Sequence, residues 1–384
     1  MSPQASLSIS ASWKRWMLVP LVVLSAAMLV GAHYRFLTSP ARYVNEDFMT
    51  LWCGGRAVIE GIDPYDPDAW SALRARYGST WMPNPRLPYP IWTAWLMVPF
   101  AALALDWAAA CWLAFCELLV GACCLALMTQ FGPHKPTLPE FGLVVLGAFA
   151  FRGTITNLIN GQFTIVLLAV LTAFLVLSER KMPFWAGVAL SGIAFKPNVF
   201  LVCAPLVALA LAQRRAWRVL AGCGAGGAAL LLMGWIADPG WLWPWLAVRG
   251  KTEATFKTPT VWGLAYDLFP AWWPVVGLCL AVLVVVFVGW FVLWHRELGV
   301  RQVVPLAIGG SLVVTPYVWA YEHALLLIPL VLLFVWIEER KLAWAVWILG
   351  SVVVPWTLYW VAIQRERDTM SWLVPLLVSV AFGV

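Results

Sequence analysis

Three ionisable residues stand where a mostly apolar chain has little use for charge. Asp47 opens a stretch in which Phe48, Leu51 and Trp52 share one helical side. Arg152 closes the apolar run Phe141–Phe151. Lys196 interrupts the run from Pro183 to Ala212, and Pro197 with Asn198 marks a break there. A carboxylate at the edge of a bilayer is costly unless it is used or paired. Used, Asp47 is a general base that takes a proton from a hydroxyl; paired, it caps a helix or answers Arg56. Arg grips phosphate through two parallel N–H groups and Lys binds it as a point charge. Arg152 and Lys196 are therefore candidates for holding an anionic ligand, the alternative being snorkelling to lipid phosphates. Asn157, Asn160 and Gln162 offer amides to ligand hydroxyls, or equally cap a helix, with Asn160-Gly161 as a plain turn. Trp319, Tyr321, Glu322 and His323 add an aromatic and polar group, and such rings suit a membrane-interface belt as well as a ligand face. Asp63 and Asp66 in Gly61-Ile62-Asp63-Pro64-Tyr65-Asp66 are expected to stabilise a turn.

The elements that must position these residues are helices in a bilayer. The chain is 62% hydrophobic and 11% charged, against about 25% charged residues in an ordinary soluble domain. An all-α, polytopic membrane protein of about twelve transmembrane helices is expected, as a single domain over residues 1–384. The spans are placed at Trp16–Tyr34 (uncleaved), Trp107–Thr129, Phe141–Phe151, Phe163–Leu177, Pro183–Ala194, Val199–Ala212, Val219–Ile236, Trp273–Trp294, Val303–Val314, Ala324–Trp336, Leu342–Val361 and Trp372–Val384. The basic clusters Arg180-Lys181, Arg214-Arg215 with Arg218, Arg296 with Arg301, and Arg340-Lys341 are each two spans apart, so all fit on one side with Lys14 and Arg15. That side is the cytoplasmic one by the positive-inside rule. The pattern requires Pro90–Leu105 to be a juxtamembrane or re-entrant helix and Lys196 to lie between two short spans. The outer loops, 35–106 and 237–272 the longest, then carry the polar candidates. The second of these, with Trp241, Trp243, Trp245, Arg249, Lys251, Glu253 and Lys257, either gates a ligand or lies in the interface on Trp anchors.

Other classes are disfavoured. The basic residues sit in short loops, with no basic helix or stacking platform, so nucleic acid is not expected as a partner. Seven of the eight Cys lie in apolar runs, with Cys53 alone in a predicted exterior loop. No CxxC pair or Cys/His cluster has metal spacing, and His33, His134 and His295 read as loop or interface residues, so no metal site is expected. No internal repeat is visible.

The run Asp47-Phe48, Trp52, Gly55-Arg56-Ala57, then Gly61, Asp63-Pro64-Tyr65-Asp66, resembles the first-loop signature of the family 87 glycosyltransferases. A second block agrees: Arg152, Asn160-Gly161-Gln162, Glu179-Arg180, Trp185-Ala186-Gly187 and Lys196-Pro197. A third comprises Thr315-Pro316, Trp319, Glu322, His323 and Pro329. Trp319 is followed by Ala320-Tyr321 before the polar pair, where relatives place the pair directly after Trp. Either the polar group has moved or its role passes to Glu322.

The resemblance implies a GT-C membrane fold in a bacterial inner membrane. It also implies transfer of a sugar, mannose in the family, from a polyprenyl-phosphate carrier to a glycan or glycolipid acceptor at the outer face, without nucleotide, metal or other cofactor. Asp47 maps to the family's first-loop acid, the catalytic base, with Glu46 beside it as the substitute. Arg152 and Lys196 map to donor-phosphate binding. Gln162, Asn160, Trp319, Tyr321, Glu322 and His323 are the weaker substrate contacts. An arabinofuranosyl or other pentosyl transferase of the same fold, and a transporter or flippase of lipid-linked sugars, are the alternatives. A transporter needs polar groups through the bilayer midplane, whereas here they cluster at one face.

Overall fold

The computed structural model describes Val30, His33 and residues 47–79, 85–247, 258–364 and 368–383, and among them all regular structure is helical. Most of the first expected span, Glu46, and Arg249, Lys251, Glu253 and Lys257 lie outside the described residues. Four helices are long and apolar enough to cross a bilayer: Leu105–Phe131, Trp217–Ala237, Trp273–Trp294 and Arg340–Gln364. A fifth span is possible as the pair Leu138–Ala150 and Arg152–Asn160, bent by 62°. The other apolar helices are shorter, of 10–17 residues. At 1.5 Å per residue these reach only about 15–26 Å, less than the hydrocarbon thickness of about 30 Å. Four to five spans are thus shown by length and composition, and among the described residues the remaining expected runs form shorter helices set apart by breaks at Gly161, Lys196-Pro197 and Pro316.

In chain order the elements that matter are α1 (Asp47–Glu60), α2 (Pro67–Arg76), α3 (Ile91–Ala101), α4 (Leu105–Phe131), α5 (Leu138–Ala150), α6 (Arg152–Asn160), α7 (Thr164–Glu179), α8 (Pro183–Ser191), α9 (Cys203–Gln213), α10 (Trp217–Ala237), α11 (Val261–Leu268), α12 (Trp273–Trp294), α13 (Val300–Val314), α14 (Leu327–Trp336), α15 (Arg340–Ile348), α16 (Val354–Gln364) and α17 (Leu373–Gly383). The amphipathic stretch after Asp47 is α1, with Asp47 in its first turn, where a carboxylate suits the helix dipole. Its Phe48, Leu51, Trp52 and Cys53 are buried, so Cys53 is a core residue and not an exterior-loop one. Burial pushes the Cys53 thiol up to about 12, which leaves it a small hydrophobe. Asp66 accepts the Asp68 and Ala69 N–H groups and caps α2, and Asp63 accepts the Tyr65 N–H at 2.8 Å, as the turn motif predicts. The 11 residues of α3 pack on α1.

The expected one-sided distribution of charge is visible as geometry. Arg180 at the end of α7 donates to Gln130 at the end of α4 (3.2 Å), and Arg214 after α9 donates to the Arg296 carbonyl after α12 (3.1 Å). Arg340 at the start of α15 meets Glu140 at the start of α5 (2.8 Å), and the Arg301 guanidinium lies over Trp336. Helix ends carrying the basic loops thus gather at one end of the bundle, while α1, Gln162, Lys196 and Glu322 stand at the other. His33, expected at a loop or interface, instead meets Glu117 within α4 at 2.9 Å.

Glycines permit the closest helix crossing. A Cβ on Gly187 of α8 would sit 1.9 Å from the Val219 carbonyl oxygen, and one on Gly222 of α10 would sit 2.0 Å from that of Phe184. Backbones in contact this close are how helices pack where lipid removes the hydrophobic drive. Gly187→Val is therefore expected to lower the midpoint of thermal unfolding in detergent, a loss of about 1–3 kcal/mol. Gly224→Ala, which meets nothing within 4 Å, should unfold like the wild type in the same assay.

Candidate functional site

Three interruptions in apolar helices build the site. The first is the turn after α6. Gly161 adopts φ +64 and caps the helix, while the Gln162 N–H returns to the Asn157 carbonyl. A Cβ on Gly161 would lie 2.5 Å from Phe48 Cβ, so this turn presses on the start of α1 beside Asp47. The Gly161 carbonyl accepts from Trp112 Nε1 at 2.9 Å. The Asn160-Gly161 turn is therefore structural. The stretch before it, expected as an outer loop, is helix α6.

The second interruption is Lys196, held between the 3-10 turns Gly192–Phe195 and Pro197–Phe200. The carbonyls freed there are satisfied by α3: Trp92 Nε1 donates to Ala194 O at 3.0 Å and Thr93 Oγ1 to Phe195 O at 3.3 Å. Irregular backbone is tolerated in a bilayer only with such partners. Asn198 bridges to the Tyr317 carbonyl, and Ser311 accepts the Cys203 N–H. The third interruption is Thr315–Trp319. Here Trp262 of α11 donates to Val314 O at 2.7 Å, and Thr258 to Pro316 O at 3.2 Å.

These breaks bring polar side chains together. Lys196 is 4% exposed and Glu322 is fully buried. The ammonium lies 2.5 Å from Glu322 Oε1, while Oε2 accepts the Trp319 N–H at 2.7 Å. Gln162 Oε1 accepts from Lys196 at 3.3 Å, and Gln162 Nε2 donates to the Tyr89 hydroxyl at 3.3 Å. The Tyr321 and Phe163 rings lie 4.8 Å and 5.3 Å from the ammonium. The Asp47 carboxylate reaches this group electrostatically, acting on Tyr89, Tyr321 and the buried Arg74. Burial first, and the field of Asp47 second, push the Tyr89 phenol above its ordinary value. It remains a neutral hydroxyl. Arg56 does not answer Asp47: it pairs with Glu60 at 2.7 Å.

Arg152 sits on the far side of the 3-10 turn Ala320–Leu326. Its guanidinium meets Asp368 at 2.5 Å, Ser371 at 2.8 Å and the Tyr359 ring at 4.2 Å. Its field reaches the buried His323. Asp47, Gln162, Lys196, Tyr321 and Glu322 thus form one group, and Arg152 with His323 flanks it. Asn160 ends α6 and Trp319 starts the 3-10 turn, each half-buried. Trp241, one of the proposed interfacial anchors, is instead buried against Trp92. Sequence reasoning missed Tyr89, Arg74 and Asp368. Each lies far along the chain from its partner, so no local pattern announces it.

An apolar cavity of about 240 Å³ opens among the helices that follow the Lys196 break. It lies between α9, α12 and the end of α13, where Leu201, Val285 and Pro316 line it. Large apolar side chains of α12 such as Val282, Val286 and Phe287 are exposed, the surface expected towards lipid and not water.

Broken helices, a buried ion pair and a nearby carboxylate gather at one end of an apolar bundle of membrane-protein character. The family model of glycosyltransferase family 87 matches residues 87–316, more than half of the chain. The chain belongs to glycosyltransferase family 87, and is a glycosyltransferase. The matched segment contains Tyr89, Arg152, Gln162 and Lys196; Asp47 precedes it and Glu322 follows it. No curated protein and no solved structure matches the chain.

The ion pair gives a direct test. Removing one member of a buried pair strands the other charge, at about 3–5 kcal/mol. Lys196→Met and Glu322→Gln are each expected to destabilise by that order, measured by unfolding in detergent. The double variant should recover a large part of the loss. Strict additivity would show that the two side chains do not interact.

Proposed function

We propose that the protein is an inverting transferase that moves a sugar, mannose in the first instance, from a polyprenyl-phosphate carrier to a hydroxyl of a glycan or glycolipid acceptor. The reaction takes place at the extracytoplasmic face of a bacterial inner membrane. The observation that supports this reading is the placement of Lys196: a buried cation at a helix break, paired with Glu322 and within reach of Gln162. The apolar cavity lined by Leu201, Val285 and Pro316 suits an isoprenoid chain, and Lys196 is the cation proposed for its phosphate. The basic loops at the opposite end of the bundle support the outward orientation.

In this reading Asp47 accepts the proton of the acceptor hydroxyl as its oxygen attacks the anomeric carbon from the face opposite the phosphate. The bond from that carbon to the phosphate oxygen breaks, and its electron pair stays on the phosphate. Lys196 stabilises the charge that develops there. The phosphate displaces Glu322 as the partner of Lys196, so the resting ion pair holds the ammonium in place without a ligand. Arg152, paired with Asp368 at rest, is the second candidate for the phosphate. Gln162, Tyr89 and Tyr321 offer hydrogen bonds and a ring face to the sugar, with Asn160, Trp319 and His323 at its margin. No metal or nucleotide takes part.

Reconstituted with radiolabelled polyprenyl-phosphate mannose and membrane lipids, the wild-type protein should label an acceptor. Asp47→Asn should lose roughly 10²–10⁴ of that rate, the range of a general base. Equal labelling by both proteins would remove Asp47 from the mechanism. Labelling only from polyprenyl-phosphate arabinose would assign a pentosyl transferase, and no consumption of any lipid-linked sugar would overturn the donor class.

A further inference from the structure

A second cavity, of about 400 Å³, opens among the basic helix ends and takes no part in the site above. It is bounded by Phe131 at the end of α4, Arg301 in the first turn of α13, Trp336 at the end of α14 and Arg340 at the start of α15. The α4 helix measures its distance from the candidate site. Trp112, which touches Gly161 there, precedes Phe131 by 19 residues, or about 28 Å along a helix. The cavity therefore lies near the opposite membrane face.

We propose that this cavity binds the headgroup of an anionic phospholipid, with the phosphodiester held by Arg301 and Arg340. Among the described residues Arg301 has no carboxylate partner. Its guanidinium is oriented over Trp336 at 5.8 Å, which leaves its N–H fork open. It also stands in the first turn of a helix, where a cation opposes the helix dipole and a bound anion relieves both. Arg340 is fixed from two directions, by Glu140 at 2.8 Å and by the Phe334 ring at 4.7 Å. Glu338 lines the cavity and Glu140 already answers Arg340, so Arg301 is the cation left for an anion.

The rest of the wall decides which anion. Phe131, Val335 and Ile337 line the same cavity. Free phosphate gains nothing from an apolar wall, whereas a lipid places its glycerol and upper acyl carbons there. Phosphate groups of anionic lipids lie at this depth beside basic helix ends. The site needs only the membrane location of the chain, and stands whether or not the donor assigned above is right.

The test uses the full chain, purified in detergent and stripped of lipid, with bound lipids counted by native mass spectrometry. Phosphatidylglycerol should bind as a first copy about tenfold more tightly than phosphatidylcholine, the scale of one charge-assisted contact. Arg301→Gln should abolish that preference. Glu338→Gln should tighten phosphatidylglycerol binding by about twofold, an effect that damage to the fold does not produce. Equal binding of the two lipids by the wild type, or full retention of the preference in Arg301→Gln, overturns the proposal. Displacement of phosphatidylglycerol by an equal concentration of inorganic phosphate overturns the lipid as its ligand.

Discussion

Lys196 and Glu322 bring opposite charges together where an apolar chain excludes water. Neither charge is tolerable there alone, because removing an ion from water costs several kcal/mol and only close pairing returns it. The pair joins segments 126 residues apart in the chain. It holds the backbone break at Lys196 against the 3-10 turn at Glu322. Much of the remaining architecture follows from accommodating these two interruptions. The carbonyls released around Lys196 need donors, and Trp92 and Thr93 of α3 supply them. The carbonyl released at Val314 needs another, and Trp262 supplies it. Trp92, Thr93 and Trp262 are thereby internal supports of the breaks.

The same accommodation explains the uneven helix lengths. Where backbone groups are satisfied by tertiary partners, a span need not be one continuous helix. The short helices α7, α8 and α9 run between the basic end of the bundle and the breaks. The long helices α4, α10 and α12 are unbroken and fix the distance between the two ends. A polar cluster at one end and basic helix ends at the other are therefore one arrangement seen from two sides. The candidate base Asp47 and the candidate phosphate ligand Lys196 thereby share one neighbourhood of the bundle.

Much of this was legible in the sequence. Composition required helices in a bilayer, and the two-span periodicity of Arg180, Arg214, Arg296 and Arg340 placed them on one side, as their contacts now show. The order of Asp47, Arg152, Gln162, Lys196 and Trp319 carried the family. Asp63 and Asp66 were readable as turn formers because their hydrogen bonds are local. In each case the signal lies in a composition, a period or a short-range bond, all of which are properties of the chain itself.

Tertiary structure alone decided how charges were matched. Lys196 faces Glu322 instead of solvent, Arg152 faces Asp368, and Arg56 turns to Glu60 and away from Asp47. It also decided that Cys53 and Trp241 are core residues, and that Tyr89 and Arg74 stand near Asp47. The physical reason is the range of the forces. Partition into lipid acts residue by residue and leaves its mark along the sequence, whereas a buried ion pair depends on which distant segments the folded backbone brings within a few ångströms.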